Sequence, residues 1–167
     1  MIHVYFGDGK GKTTAAAGLA ARMAGYGKKV LFMQFLKGGI SGEITSLKKL
    51  GITVIRCDRE YPFVQNMTDA EKLKITNFHN EELRYALSHA EAFNMIVLDE
   101  VFSAVEFGLI DNSLLTELVG NIENAELVMT GHNPDKCFIE IADYVTEIKK
   151  IKHPFDNGTD ARLGVEY

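Results

Sequence analysis

The chain has 167 residues, enough to form one domain with a sizeable buried core. Its apolar runs fall short of the roughly 20 residues that cross a bilayer, and its net charge of -5 lacks the basic excess of nucleic-acid binders, so we expect neither a membrane nor a nucleic acid as partner. Cys57 and Cys137 lie far apart with no metal-binding spacing, which predicts reduced thiols in a cytoplasmic protein.

Short apolar runs alternate with longer segments of helical period along the chain. The runs of strand length cover residues 2–6, 29–35, 52–57, 93–99, 125–130 and 142–148. The helical segments cover residues 13–25, 42–50, 68–92, 112–121 and 134–141. Several strands are almost continuously apolar, which is typical of parallel strands that helices cover on both faces. This order of elements predicts an α/β fold around a mostly parallel sheet.

The first strand leads into a glycine-rich turn and then into an alanine-rich helix. Its glycines permit positive backbone angles, so successive N–H groups can point at an anion held by the helix N-terminus. Lys12 adds a charge near the outer phosphates, and the hydroxyl of Thr13 or Thr14 suits Mg²⁺. We expect ATP phosphates to contact the turn residues Gly7, Asp8, Gly9, Lys10, Gly11, Lys12, Thr13 and Thr14.

This turn is one residue shorter than the usual phosphate-binding loop. The usual loop has four residues between its first glycine and Gly-Lys-Thr, whereas here only residues 8–10 intervene and Phe6 occupies the first glycine's place. A dinucleotide-binding turn would need glycine in place of Lys12, so we reject it. A flexible turn without a ligand is the other alternative, but strand, Gly-Lys-Thr-Thr and helix in this order favour a phosphate site.

The apolar strand 93–99 ends in Asp99 and is followed by Glu100. The carboxyl ends of parallel strands form the edge where ligands of α/β folds bind. Beside a phosphate loop, we expect Asp99 to hold Mg²⁺ or its water shell, and Glu100 to bind the metal, order water or contact substrate. Thr13 is the third expected metal ligand. Helix capping is the ordinary alternative for such an Asp-Glu pair.

These patterns together predict a P-loop NTPase-like (RecA-like) three-layer sandwich that forms a single domain over residues 1–167. Thr68 and Glu71 have the spacing of a capping box and predict the start of the third helix. The segment before it, residues 58–67, is the expected functional loop outside the phosphate site. We expect the histidines of this helix, His79 and His89, at the surface.

Three stretches resemble the P-loop type of ATP:corrinoid adenosyltransferase, the family that includes cob(I)yrinic acid a,c-diamide adenosyltransferase. They are residues 7–39, which begin GDGKGKTTAAAG, residues 96–110, IVLDEVFSAVEFGLI, and residues 128–167. The resemblance covers nearly the full length. Its most distinctive part is the tail of residues 152–167, KHPFDNGTDARLGVEY, which generic P-loop ATPases lack.

Members of this family transfer the 5′-deoxyadenosyl group of ATP to the cobalt of a reduced corrinoid and release triphosphate. The resemblance implies ATP as co-substrate, Mg²⁺ as cofactor, a reductase that supplies electrons for cobalt(I), and a homodimer. It also implies that the short loop holds ATP in reverse, around the γ-phosphate, so that C5′ faces the corrinoid. Cobalt(I) is already a strong nucleophile, so the catalytic residues Lys12, Thr13 and Glu100 serve the departing polyphosphate and no protein base is needed.

The resemblance also places residues outside the phosphate loop. Lys37, in the stretch QFLKG after the second strand, is expected near ATP. His132 stands where the family has an arginine, and its reach and charge are smaller. The chain has no tryptophan, whereas the family often has an aromatic-x-tryptophan pair in its corrinoid loop. Tyr61 and Phe63 lie at that place and are expected to contact the lower corrin face, with packing in an ordinary core as the alternative.

Two other functions stay open at this point. One is a small P-loop kinase or ATPase, in which Glu100 would orient a nucleophile for γ-phosphoryl transfer. The other is an ATP-dependent corrinoid carrier that binds and delivers its ligand without turnover. The corrinoid itself is either an incomplete precursor or salvaged cobalamin.

Overall fold

A computed structural model describes residues 1–166 of the chain. Within this range the strands are β1 Ile2–Phe6, β2 Val30–Gln34, β3 Thr53–Arg56, β4 Met95–Asp99, β5 Glu126–Gly131 and β6 Tyr144–Glu147. The α-helices are α1 Lys12–Gly25, α2 Gly42–Lys49, α3 Asp69–His89, α4 Val101–Glu106, α5 Asn112–Asn121 and α6 Lys136–Ile141. Short 3-10 turns cover Val64–Asn66, Ala90–Ala92 and Pro154–Asn157.

The strands form one parallel sheet in the order β3-β2-β4-β5-β1-β6. Because all the strands point the same way, their carboxyl ends share one edge of the sheet. The register of β2 on β4 places Gln34 opposite Asp99 at this edge. The register of β1 on β5 places Phe6 opposite Gly131 there. The loops that carry the expected site residues therefore begin side by side.

Helices cover both faces of the sheet because successive strand residues point to opposite faces. Along β2, Val30 and Phe32 pack with α1 and α2, whereas Leu31 and Met33 pack with α3 to α6. The result is the predicted α/β sandwich of three layers. The assignment of residues 1–167 to a single domain stays a prediction.

The third helix begins where its capping signal predicts. The hydroxyl of Thr68 accepts a hydrogen bond from the Glu71 N–H at 3.3 Å, and the Glu71 carboxylate accepts one from the Thr68 N–H at 2.8 Å. The helix is shorter than expected, because it ends at His89 and a 3-10 turn follows. None of the helices within residues 1–166 is both long and apolar enough to cross a membrane.

The helix α4 is missing from the sequence-based expectations. It has six residues and follows β4 directly. Glu100 precedes it in a left-handed conformation, with φ 61°, and its side chain makes no capping hydrogen bond to the helix. A short helix without a capping residue leaves no start signal in the sequence.

Candidate active site

A cavity of about 870 Å³ opens at the carboxyl edge of the sheet. This volume is at the upper end of the usual range for small-molecule sites. Its walls come from the phosphate loop, the segment after β2, the segment after β3 and the carboxyl-terminal tail. Its lining includes Lys10, Thr13, Lys37, Tyr61, Glu100 and Glu166. Expected nucleotide-binding residues and Tyr61, one of the two expected corrinoid-binding residues, thus line one space.

The phosphate loop differs in part from the expected cradle. Gly7 and Gly11 take positive φ angles, 113° and 119°, but Gly9 does not. The N–H of Gly7 donates to the carbonyl of His132 at 3.1 Å, and the N–H of Gly9 donates to the carbonyl of Ile148 at 2.8 Å. The expectation that all three glycines turn their N–H groups toward an anion is therefore wrong for these two, because neighbouring backbone already binds them.

Residues 148–150, which follow β6, explain why these two positions need glycine. A Cβ on Gly7 would lie 2.5 Å from the carbonyl oxygen of Ile148, and one on Gly9 would lie 2.7 Å from the same atom. The side chain of Asp8 accepts a hydrogen bond from the Lys150 N–H at 3.0 Å, which lowers the pKa of this carboxyl. Residues 148–150 are thus packed directly on the phosphate loop.

Lys12 is buried at the centre of the loop, with 7% of its surface exposed. Its ammonium donates to the carbonyls of Gly7 at 2.8 Å and Gly9 at 3.0 Å. The helix α1 begins at Lys12, so its first N–H groups lie at the same place and have no helical acceptor. A fixed ammonium and a helix N-terminus side by side attract polyphosphate.

Asp99 is the centre of a buried hydrogen-bond cluster. The hydroxyl of Thr130 donates to its Oδ1 at 2.8 Å. Its Oδ2 accepts from the hydroxyl of Thr13 at 3.1 Å, from the amide of Gln34 at 3.0 Å and from the ammonium of Lys37 at 3.1 Å. The carboxylate is fully buried, and these donors satisfy it, as a buried charge requires.

Lys37 joins the phosphate loop to the acidic pair. Its ammonium donates to the Thr13 hydroxyl at 2.8 Å and lies 3.9 Å from Oε1 of Glu100. Partial burial acts to lower the pKa of Lys37, but the nearby carboxylates, with Asp99 the strongest, hold it above its usual value. The side chain is therefore a cation at neutral pH.

Glu100 has a fixed orientation at the cavity wall. Its backbone N–H donates to the Thr130 hydroxyl at 2.9 Å, and its Oε2 accepts from the Ser103 hydroxyl at 2.6 Å. Its other carboxylate oxygen faces Lys37. Glu100 also precedes α4, but its side chain makes no capping bond there. Helix capping thus does not account for this carboxylate.

The oxygen atoms around the Lys37 ammonium are of the kind that can bind a magnesium ion. The hydroxyl of Thr13 and the carboxylates of Asp99 and Glu100 are hard oxygen ligands of the kind Mg²⁺ prefers. Oε1 of Gln34 is buried beside them and lacks a hydrogen-bond partner within residues 1–166. In the same range no three His, Cys, Asp or Glu side chains group as a metal site, so such an ion would need phosphate oxygens to complete its shell.

The two aromatic residues of the expected corrinoid loop lie in different surroundings. Tyr61 is half-buried, lines the cavity and packs on the cluster of Met67, Ile75 and Leu109. Phe63 is 82% exposed. Phe63 is therefore not packed in a core, whereas part of the Tyr61 ring is.

Several residues of the site have no role that the sequence predicts. Gln34 and Thr130 bind Asp99, and Arg56 and Glu43 line the cavity. Three of the four lie at the carboxyl ends of strands, and Glu43 lies in the first turn of α2. Position at a strand end is the signal that could have identified them.

Comparison with known proteins identifies what the chain is similar to. The model of the family described as ATP:corrinoid adenosyltransferase BtuR/CobO/CobP matches residues 1–167. A corrinoid adenosyltransferase of Escherichia coli K12 is 28% identical over 169 residues, covering 100% of this chain and 85% of the relative. The corrinoid adenosyltransferase CobA of Salmonella typhimurium is 30% identical with the same coverage. A corrinoid adenosyltransferase of a Sinorhizobium species is 31% identical over 185 residues, covering 100% of this chain and 80% of the relative.

A solved structure gives the same result for the fold. The KaiC-like protein of Pyrococcus horikoshii OT3 matches with a TM-score of 0.56, covering 90% of this chain and 73% of its own. The two sequences are 20% identical, so this likeness concerns the fold alone. It confirms the predicted P-loop NTPase-like architecture.

Proposed function

Because this chain belongs to the ATP:corrinoid adenosyltransferase family, we propose that its cavity binds ATP and a reduced corrinoid together and joins the 5′-deoxyadenosyl group to cobalt. The electron pair of cobalt(I) forms the new bond to C5′ of the ribose. The bond between C5′ and its phosphate oxygen breaks, and its electrons leave with triphosphate. The substitution is at carbon, so the enzyme has to position two ligands and stabilise a leaving group.

The observation that carries this proposal is the distribution of charge in the cavity. The cations Lys12 and Lys37 lie at one end, beside the N-terminus of α1. Tyr61 and the apolar side chains of Ile40 and Val165 line the same cavity. The cations suit a polyphosphate, and the aromatic and apolar side chains suit a large ring with apolar faces.

Lys12 is the residue that we assign to the leaving group. Negative charge grows on the phosphate oxygen as the bond to C5′ breaks, and a fixed ammonium stabilises it without reorganisation. The short loop supports a phosphate at its centre, because the first N–H groups of α1 lie there. Lys10, Thr14 and Gly11 line the same part of the cavity and complete the proposed ATP contacts.

We assign Thr13, Asp99 and Glu100 to Mg²⁺, which would offset the charge of the triphosphate when bound. The fit rests on their hard oxygen atoms and on the neighbouring Oε1 of Gln34, which lacks a hydrogen-bond partner among residues 1–166. Lys37 contacts Thr13 and both carboxylates. Its single positive charge offsets part of the negative charge of these two groups, and we assign it to the phosphates of ATP as well.

We assign Tyr61 and Phe63 to the lower face of the corrinoid. Phe63 supports this role because its ring is 82% exposed and so is free to pack on a ligand, which would bury its apolar surface. An apolar ring there would displace the lower ligand of cobalt and so ease reduction to cobalt(I) by a partner reductase. The chain departs from the family here, since it has no tryptophan.

Further parts of the proposal concern the state of the protein. We propose a homodimer, as the family resemblance implies, and a single domain, which the shared sheet supports. A cytoplasmic location is supported by Cys137, an exposed free thiol that suits a reducing compartment.

One incubation tests the function. The protein is mixed with ATP, Mg²⁺ and chemically reduced corrinoid, and both products are identified. We expect a light-sensitive cobalt–carbon product and triphosphate in equal amounts. ADP formed without any need for corrinoid would assign the chain to the kinases or ATPases, and bound corrinoid without any turnover would make it a carrier. When the incubation is repeated with Lys12→Ala, the matched control is Lys28→Ala, because this exposed lysine lies past the far end of α1.

A further inference from the structure

The chain reverses sharply between β2 and Lys37. The N–H of Phe35 still bonds the carbonyl of Asp99 at 2.9 Å and so extends the strand pairing. Leu36 then takes a left-handed conformation with φ 61°. A branched residue rarely adopts this angle, and it does so only where the surroundings determine it. The turn directs Lys37 back to Asp99 and Thr13.

His79 binds this turn from α3. Its Nε2 lies 3.2 Å from the backbone nitrogen of Leu36, and its Nδ1 lies 3.1 Å from the carbonyl oxygen of Leu109. Its ring also contacts Phe35, with the ring centres 5.0 Å apart. The side chain is 1% exposed. The expectation of a surface histidine is therefore wrong, since the polar partners of His79 lie inside the protein.

The two partners determine the tautomer. A carbonyl can only accept, so the proton is on Nδ1, and a backbone N–H can only donate, so Nε2 keeps its lone pair. Burial lowers the pKa of His79 to about 4, and the ring stays neutral near pH 7. A stable acceptor thus faces the Leu36 N–H.

We propose that His79 is a positioning residue for the adenosyl transfer, acting through the backbone of Leu36 to hold Lys37 against Asp99 and Thr13. The inference rests on the role proposed for Lys37 in ATP binding. The hydrogen bond to Leu36 fixes the left-handed turn, and the hydrogen bond to Leu109 fixes the imidazole. Without the first bond, a partly buried N–H loses its partner, and the turn loses the contact that directs the ammonium to the site.

Two substitutions at this position separate the two hydrogen bonds. The amide of His79→Gln reaches the place of Nε2 and can accept from Leu36, but it loses Leu109. The amide of His79→Asn reaches the place of Nδ1 and can donate to Leu109, but it leaves the Leu36 N–H without an acceptor. Both lose one hydrogen bond and part of the ring packing, so we expect similar losses of stability in urea.

Activity should divide the two variants. We expect His79→Asn to lower kcat/KM by about tenfold, because the Leu36 N–H loses its acceptor, and His79→Gln to lower it by at most about threefold. In the Lys37→Ala background, His79→Asn should cause no further loss. Equal losses for both variants, or a loss that persists without Lys37, would overturn the proposal. The same changes at exposed His89 of α3 are matched controls.

A measurement on the unaltered protein keeps the test independent of folding and of the function. Nitrogen-15 NMR of the imidazole should show a protonated Nδ1 and an unprotonated Nε2, with slow exchange of the Leu36 amide. A protonated Nε2 would overturn the inference about His79. Full activity of Lys37→Ala would instead overturn the role of Lys37, and with it any action of His79 on the reaction.

Discussion

The carboxylate of Glu166 lies 3.4 Å from the ammonium of Lys10 at the crest of the phosphate loop. The hydrogen bonds of Arg162 lower the pKa of Glu166 to about 2, so it is charged at any working pH. Its negative charge repels an incoming polyphosphate, and its ion pair with Lys10 competes with the contact of Lys10 to the phosphates. We expect Glu166→Gln to tighten MgATP binding a few-fold, an effect that shrinks at high salt.

Equilibrium binding of a fluorescent ATP analogue at two salt concentrations measures this effect. Asp156→Asn is the matched control, because it removes a tail carboxylate that pairs with Lys150 and does not line the cavity. Weaker binding by Glu166→Gln would show that the carboxylate organises Lys10 for the nucleotide.

Lys12→Ala should reduce adenosylation on the order of 100-fold or more, because the ammonium acts where the leaving group gains charge. The variant also loses two bonds to loop carbonyls, so a small drop in stability is expected. Single-turnover rates at saturating ATP measure the effect, with Lys28→Ala as the reference. A rate close to that of the reference would remove the loop from the leaving-group site.

Asp99→Asn should impair both the site and the fold. The amide cannot accept from all the donors around Oδ1 and Oδ2, and its NH₂ group would face one of them. If Asp99 acts on Mg²⁺, part of the lost activity returns as the magnesium concentration rises. Titration of the rate with Mg²⁺ checks this, and an unchanged magnesium dependence would contradict the metal role.

Glu82 makes stability depend on pH. It is 2% exposed, and its carboxyl oxygens have no hydrogen-bond partner among residues 1–166. Burial raises the pKa of this group well above 4.5. Because the folded protein holds the proton of Glu82 more tightly than the unfolded chain, protonation of Glu82 favours the fold. This contribution to the free energy of unfolding is complete below the pKa of Glu82 in the unfolded chain, and it is lost as pH rises through the pKa in the folded protein.

Glu82→Gln should therefore be more stable than the parent at pH 8 and lack this decline. Urea unfolding between about pH 5 and 8 measures the difference in the free energy of unfolding. Glu81→Gln, its exposed neighbour on α3, should follow the parent. A parallel decline in both variants and the parent would mean that Glu82 ionises freely in the fold.

Phe63→Ala should slow adenosylation from cobalt(II) far more than from chemically reduced cobalt(I). The exposed ring is proposed to exclude the lower ligand, which matters for reduction and not for attack on C5′. The paramagnetic signal of four-coordinate cobalt(II) in the ATP complex should weaken, more for cobalamin than for cobinamide, whose lower ligand is only water. Tyr26→Ala, at an equally exposed aromatic residue, is the control. Equal losses from both oxidation states would contradict the wedge.

The strands and the order of elements could be predicted because buried parallel strands are recorded directly in apolar runs. The runs at residues 2–6 and 93–99 contain β1 and β4. The carboxyl end of α3 and the existence of α4 could not, since helix ends without a capping residue depend on tertiary contacts. Glu100 shows this, as its left-handed angle has no signature in the sequence.

The residues that form the site are more predictable than their geometry. Lys12 and Asp99 follow from motifs, whereas the bond of Gly9 to Ile148 depends on a strand that lies far along the chain. The sequence predicts His79 at the surface, because a lone histidine on a mainly polar helix carries no periodic signal. Its partners, Leu36 and Leu109, become neighbours only when the helices pack on the sheet.

The contact between residues 148–150 and the phosphate loop also affects the order in which parts of the protein can fold. Asp8 and Lys150 are 142 positions apart, so the loop emerges from the ribosome long before the backbone that supports it. Contacts of such separation form late in folding. A nascent chain can therefore build much of the sheet while its nucleotide loop lacks its outer support. We expect chains that terminate before Ile148 to fold but not to bind ATP. A pulse-chase assay of nucleotide binding during translation would detect them.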